Sequence, residues 1–443
     1  MAINCGRCGM QQRDDARLCV SCGYPIDAGF AQPVPNPYQA QQPPPQTPPG
    51  YGGYVPPQFT QSYPTYGQYA QEQTPKKFPT RLLIVIITVI AIVAAFIVIN
   101  NYYQGDTGKV GTETTTAPVE KTEVAIPERG EFTDYPIVVG EGTDFPLKGL
   151  MSIPDNAEGK VPAVVFVHGD GVFTMDEGYK DNKAFRDIGD YLASYGIAVI
   201  RYDKRNHDYW KKVKEVYGGS MTAWESQIED AILATELIKS DPRIDENKVF
   251  MLGHSKGGCL APRIHAEGGD FAGIISMAST PRSMLTFAYN TEMLEAMEMP
   301  EGQEKEDALE RVERRISNLR DKIMNLSEDE AKSQYWGSEF SYYYYQDLEN
   351  HPATQYIKDI PIPFLILQGG ADFQVSPILD YPAWQDELQG RSNTTFRLYE
   401  GLNHFLMPSP GYGPDDAELE YGTPNHVDDQ VVKDIVEWVW SVV

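Results

Sequence analysis

Ser255 sits in Gly253-His254-Ser255-Lys256-Gly257, directly after the apolar run 249–252. A serine on a sharp turn between a strand and a helix can act as a nucleophile, because the turn pushes its side chain into the open. A Cβ at either flanking glycine would collide with such a turn. The backbone N–H of Lys256 would then face the oxygen on which negative charge develops, near the positive end of the following helix. Taken alone, the stretch also reads as an ordinary glycine-rich loop.

A nucleophilic serine needs a base to take its proton and an acid to orient that base. Behind an elbow serine the chain order is serine, acid, histidine. Histidines stand at 168, 207, 254, 265, 351, 404 and 426, and only the last two follow the final predicted strands. His404, in Gly401-Leu402-Asn403-His404-Phe405, lies just past the strand-like run 394–399 and is the expected base. His426 precedes the closing helix, where a helix-end role or solvent exposure suits it better. Asp372 follows the apolar run 362–367 in Gln368-Gly369-Gly370-Ala371-Asp372 and is the expected acid, with Asp380 as fallback.

Stabilising an oxyanion takes a second donor, expected from the loop His168-Gly169-Asp170-Gly171 after another apolar run, 161–167. The backbone N–H of Asp170 is the expected group, and His168 is expected to buttress the loop. A carboxylate at 170 would repel an anionic substrate unless its side chain turns away. The Lys256 ammonium is expected to face solvent in preference to meeting a substrate carboxylate.

A second chemistry-bearing cluster lies at the other end. Cys5 and Cys8, then Cys19 and Cys22, form two C-x-x-C-G knuckles. Four thiolates at that spacing suit a tetrahedral structural Zn²⁺. A piece this short has no core of its own, so metal binding would supply its folding energy. A redox dithiol or a pair of disulfides is the alternative. The knuckles resemble the small zinc ribbons at the N-termini of many bacterial membrane proteins. That resemblance implies a structural or interaction role, with a cytoplasmic protein as partner.

The elements that must position these residues differ sharply along the 443-residue chain. A formal charge of -26, from 37 basic and 63 acidic residues, argues against nucleic acid as partner and against adhesion to an anionic surface. Beyond a ribbon at 1–27, residues 28–80 are rich in Pro, Gln and Tyr. They cannot bury enough surface to offset ordering entropy, and read as a disordered linker. Residues 82–99 are uncharged and almost wholly aliphatic. As a helix they would cover roughly 27 Å, enough to cross a hydrocarbon core, so 81–103 is the expected transmembrane segment. Lys76, Lys77 and Arg81 precede it, and only Lys109 follows closely. The positive-inside rule then places the N-terminus in the cytoplasm and the remainder outside the cell. Residues 104–130 form a second linker.

From 131 to 443 the pattern is globular. Strands are expected at 134–140, 145–154, 161–167, 197–202, 248–252, 273–278, 362–367 and 394–399. Helices are expected at 185–195, 222–240 and 427–443. Such alternation implies an α/β fold, a mostly parallel sheet with helices on both faces. Residues 283–350 interrupt it with a charged helical stretch and the aromatics Tyr335, Trp336 and 342–345. This insertion reads as a helical cap over the carboxyl edge of the sheet, its aromatics either lining a pocket or packing the cap down.

Several ordered segments carry a family resemblance. They are Val167-His168-Gly169-Asp170-Gly171, Ile200-Arg201-Tyr202-Asp203-Lys204-Arg205, Gly253-His254-Ser255-Lys256-Gly257-Gly258, Leu367-Gln368-Gly369-Gly370-Ala371-Asp372 and Gly401-Leu402-Asn403-His404-Phe405. Residues 131–443 resemble the α/β-hydrolase superfamily, in particular bacterial dienelactone-hydrolase-like and acyl-peptidase-related enzymes. The resemblance implies an α/β-hydrolase fold and an esterase or related acyl hydrolase with Ser255, Asp372 and His404 as triad, working without a cofactor on a small acyl ester. The chain departs from the family at Asp170, at Asn206-His207-Asp208 and at Lys256. A peptidase or acyltransferase with the same triad, and a non-catalytic surface binding or sensing protein on the same fold, are the competing readings.

Overall fold

The computed structural model describes residues 3–4, 11–12, 126–155, 157–336 and 340–443. Cys5, Cys8, Cys19 and Cys22, the linker 28–80, the apolar segment 81–103 and most of the linker 104–130 lie outside these residues. No helix among the described residues is long and apolar enough to cross a membrane. At the N-terminus two short strands, β1 (Ile3–Asn4) and β2 (Gln11–Gln12), pair antiparallel, with Ile3 opposite Gln12.

The large domain begins with β3 (Phe132–Val139) and β4 (Leu147–Pro154), an antiparallel pair. Next come β5 (Val161–Val167), α1 (Ala184–Ser194), β6 (Ala198–Tyr202) and α2 (Arg205–Val216). A π turn, Trp224–Ile228, runs into α3 (Glu229–Lys239), so the helix expected at 222–240 starts one turn in a wider winding. Then follow β7 (Ile244–His254), α4 (Lys256–Ile264) and β8 (Ile274–Met277). The insertion holds α5 (Met284–Phe287), α6 (Asn290–Glu298), α7 (Gln303–Met324), α8 (Glu328–Ser333), the hairpin β9 (Tyr335–Trp336) and β10 (Phe340–Ser341), α9 (Tyr342–Asn350) and α10 (Ala353–Ile357). The chain returns to the sheet with β11 (Phe364–Gly369), α11 (Asp380–Glu387) and β12 (Thr394–Tyr399), and closes with α12 (Ala417–Gly422) and α13 (Asp429–Val442).

The eight large strands run in the order β12-β11-β8-β7-β5-β6-β4-β3, and every neighbouring pair from β6 to β12 is parallel. β5 is buried at every position because both its faces are covered. Val161, Ala163, Val165 and Val167 face one core with α3, α4 and the insertion. Val164 and Phe166 face the other, with α1 and α13. Helix α7 shows how the insertion packs: Ala308, Val312, Ile316 and Ile323 are its buried residues and share one face, while most of the remainder is charged or polar.

The order places β5 between β6 and β7, where the chain reverses its direction of travel across the sheet. Loops leaving such a point splay apart and open a crevice at the carboxyl edge. Val167 lies opposite Gly253, His254 opposite Met277, and Met277 opposite Leu367. The loops after β5, β7, β8 and β11 therefore emerge side by side.

Candidate active site

β7 ends at His254, and α4 begins at Lys256, so Ser255 alone makes the turn. Its backbone sits at φ 51° and ψ -118°. A non-glycine residue there carries strain of about 1–3 kcal/mol, which the surroundings must hold in place. The Ser255 N–H donates to Met277 O at 2.8 Å, and Ser255 O accepts from the N–H groups of Gly258 and Cys259 at 3.0 and 3.1 Å. A Cβ on Gly253 would fall 2.6 Å from Gly258 N, and one on Gly257 would fall 2.6 Å from His168 O and closer still to Val167 O. The collision expected from the sequence is present at both glycines.

Asp372 and His404 meet. The loop after β11 buries Asp372, whose Oδ1 accepts from Gln374 N at 2.8 Å and Val375 N at 2.9 Å. Its Oδ2 accepts from Gln368 Nε2 at 3.2 Å and lies 2.8 Å from His404 Nδ1. His404 is equally buried, in the loop after β12. Asn403 braces that loop: its Oδ1 accepts from Phe405 N and Met407 N, and its Nδ2 donates to Glu420. The fallback acid, Asp380, is buried elsewhere, against Arg282, Asn290 and Ser376 N–H. His426 is exposed and paired with Asp187.

The loop after β5 is fixed from several sides. Gly169 N–H donates to Glu177 Oε1 at 2.8 Å. Lys204 Nζ donates to Gly169 O at 2.6 Å and Gly171 O at 3.0 Å, and Gln227 Nε2 donates to His168 O. His168 is buried, with Nε2 3.1 Å from Thr174 O. Burial lowers its pKa to about 4, so it stands neutral and buttresses the loop, as its position suggested. Gly169 N–H is committed to Glu177, so the next donor along this loop is Asp170 N–H.

The expectation that Lys256 faces solvent is wrong. Its side chain is 4% exposed, with Nζ 3.1 Å from Asp170 Oδ1. The ammonium sits over the rings of Phe340 and Tyr344, 4.4 and 4.7 Å from their centroids. Those rings come from β10 and α9 of the insertion, which therefore reaches the carboxyl edge beside the Ser255 turn. Phe340 and Lys256 line a shallow cleft together with Lys204, Arg205, Gln227 and Met221.

Two further site residues were not read from the sequence. His254 Nδ1 lies 2.8 Å from Glu177 Oε1, and its Nε2 donates to His404 O at 3.0 Å. Both side chains are almost fully buried. Burial works against charge on each, but their mutual attraction and hydrogen bond outweigh it, raising His254 and lowering Glu177. His254 and Glu177 thus tie the Ser255 turn to the loops on either side. His254 occupies an unconstrained position of the serine motif and Glu177 is 77 residues away, so no local signal marks them.

Among the described residues, Asp203, His207 and Asp208 bring potential metal-ligand atoms within 4.8 Å of one another. Asp203 already accepts from Met175 N–H, and His207 pairs with Asp208. The cysteine ligands proposed for zinc lie outside the described residues.

The family model described as serine aminopeptidase, S33, matches residues 162–410. Esterase EstD of Thermotoga maritima is 32% identical over 329 residues, 72% of this chain and 71% of that protein. Among solved structures, Est1E from Butyrivibrio proteoclasticus aligns at 16% identity with a TM-score of 0.40, covering 69% of this chain and 96% of that one. The Pyrococcus horikoshii acylaminoacyl peptidase aligns at 14% identity with a TM-score of 0.39, covering 62% and 38%. The chain belongs to the serine aminopeptidase S33 family of hydrolases, which sets aside the non-catalytic reading.

Proposed function

We propose that this S33-family serine hydrolase cleaves small carboxylic esters with Ser255, His404 and Asp372 as its triad. The observation that carries the assignment is the 2.8 Å contact between His404 Nδ1 and Asp372 Oδ2, at the sheet edge where the strained Ser255 turn emerges. With Asp372 accepting from Nδ1–H, His404 Nε2 is left as the base. It takes the Ser255 proton as Oγ attacks the acyl carbon. The N–H groups of Lys256 and Asp170 receive the developing oxyanion. His404 then protonates the leaving alcohol, and the acyl-serine ester forms. Water, deprotonated by the same imidazole, attacks that ester and releases the acid. These steps use only groups of the protein and water.

Ester as the substrate rests on the likeness to a protein named an esterase. Amide hydrolysis is the second reading, favoured by the description of the family model as serine aminopeptidase. We place the hydrolase domain outside the cell, anchored through the apolar segment 81–103 with the N-terminus in the cytoplasm. The aliphatic run and the charges before it support that placement. Cys5, Cys8, Cys19 and Cys22 would bind a structural Zn²⁺ on the cytoplasmic side and offer a surface to a protein partner.

The test is turnover by the full-length protein of p-nitrophenyl esters from acetate to octanoate, beside aminoacyl p-nitroanilides. Ester turnover that Ser255→Ala abolishes is the expected result. Anilide turnover alone would move the assignment to peptidase.

A further inference from the structure

The two backbone donors assigned to the oxyanion belong to Asp170 and Lys256, two of the positions at which the sequence departs from the pattern it resembles. Their side chains are bonded to each other, Nζ to Oδ1 at 3.1 Å, across 86 positions of sequence. A lysine directly after the nucleophile has two obvious alternative roles. It could greet a substrate carboxylate, but Asp170 already takes its charge. It could simply be exposed, but it is almost fully buried. A buried ammonium is unfavourable unless paired and hydrogen-bonded. Here the pairing comes from Asp170, and the Phe340 and Tyr344 ring faces close over the ammonium. Burial works to raise the Asp170 pKa, yet the ammonium charges of Lys256 and Lys204 more than offset it, so the partner stays ionised.

We propose that the Lys256–Asp170 ion pair is a positioning element of the oxyanion hole, fixing the spacing of its two backbone donors and fastening them to the aromatic side of the cap. An oxyanion hole works because its donors are held in place before charge develops. One donor stands on α4 and the other on the loop after β5, on elements joined by no covalent constraint near the site. Linking their side chains removes the relative motion that would let the hole open. Through Phe340 and Tyr344 the same lysine ties the packing of the insertion to the geometry of the hole. The inference rests on the triad reading above.

The test uses the full-length protein and its variants Lys256→Met, Asp170→Asn, the double variant, and Lys256→Arg. Four quantities are read: kcat and KM for p-nitrophenyl butyrate, the melting midpoint, and the inhibition constant of an aliphatic trifluoromethyl ketone. That ketone forms a hemiketal oxyanion on the serine and so probes the hole directly. Each single loss is expected to lower kcat by about 10- to 100-fold, less than deleting a donor outright, with KM within about threefold. The inhibition constant should rise by the same factor as kcat falls. The double variant should be no worse than either single one, because both break one interaction. Lys256→Arg should recover most of kcat.

Unchanged kcat and inhibition in folded variants would overturn the proposal. So would a change in KM alone, which would mark substrate recognition, or losses that multiply in the double variant. Should Lys256→Met fail to fold, Asp170→Asn at the partly exposed partner decides the matter by the same readouts. Failure of the triad reading would look different: Ser255→Ala would keep the turnover of the parent, whatever residues 170 and 256 do.

Discussion

Replacing Asp372 by Asn removes one charge and almost no volume, so its effect can be worked from hydrogen bonds. The carboxylate accepts on one oxygen from Gln374 N and Val375 N, and on the other from Gln368 Nε2 and His404 Nδ1. An asparagine has one oxygen and one NH₂. Two rigid backbone donors at 2.8 and 2.9 Å will hold the oxygen. The NH₂ then faces His404 Nδ1, which must become an acceptor. The ring proton moves to Nε2, the atom that should receive the serine proton. The base is lost through the wrong tautomer while the fold survives. A loss of about 10³–10⁴ in kcat is expected, or roughly 4–5.5 kcal/mol of transition-state stabilisation. The new NH₂ also meets the Gln368 amide, donor against donor, at a cost of about 1–3 kcal/mol in stability. For a domain of this size that shifts the melting midpoint by several degrees. Steady-state turnover of p-nitrophenyl butyrate, with a thermal melt on the same sample, reads both. Turnover within tenfold of the parent, in a folded variant, would refute the assignment of Asp372 and the tautomer argument with it.

Other substitutions and conditions test neighbouring steps. Gly257→Ala drives a methyl group against the carbonyls of Val167 and His168. Overpacking against backbone costs about 1–3 kcal/mol, and kcat should fall at least tenfold with it, as melting and turnover would show; a silent substitution would mean the turn is looser than described. His168 titrates near 6.5 when unfolded, but burial lowers it to about 4 in the fold. Its neutral form therefore contributes stability that is complete above about pH 6.5 and lost as pH falls towards 4, up to about 3 kcal/mol. In denaturant melts, His168→Asn should flatten that stretch of the pH profile relative to the parent, and an unchanged slope would contradict the buried neutral ring. For the N-terminal cysteines, the purified chain should hold one zinc, and Cys5→Ser with Cys8→Ser should lose it without altering ester turnover. Metal analysis showing no zinc in a reduced sample would end that proposal.

The parts of the site that could be read from sequence are those in which a chemical residue lies within a few positions of the end of a strand-like run. Ser255, Asp372 and His404 each sit just past a parallel strand, buried at the end of β7 and throughout β11 and half-buried in β12, and strand order does the remaining work. Val161–Val167 and Thr394–Tyr399 match their expected limits because a strand covered on both faces, or bounded by turn residues, leaves a clear signature. Helix α2 gave no such signal: in RNHDYWKKVKEV only Arg205 and Val213 are buried, so there is no apolar stripe to find. α11, which buries Asp380, Tyr381 and Trp384, was missed for a related reason. The error at Lys256 is instructive. Its exposure depends on Phe340 and Tyr344, more than 80 residues further along, and on Asp170 before it. The carboxylate in the loop after β5 and the lysine after the serine are two halves of one contact. The pair Glu177–His254 shows the same limit, since only the fold brings it together.

The central claim is that Ser255 carries the acyl group. Intact-mass and peptide analysis of the full-length protein, quenched during turnover of a slowly hydrolysed p-nitrophenyl ester, tests it most directly. The account expects one acyl adduct per chain, located on Ser255, absent from Ser255→Ala and forming far more slowly in His404→Ala. An adduct on another residue, or undiminished ester turnover by Ser255→Ala, would contradict it.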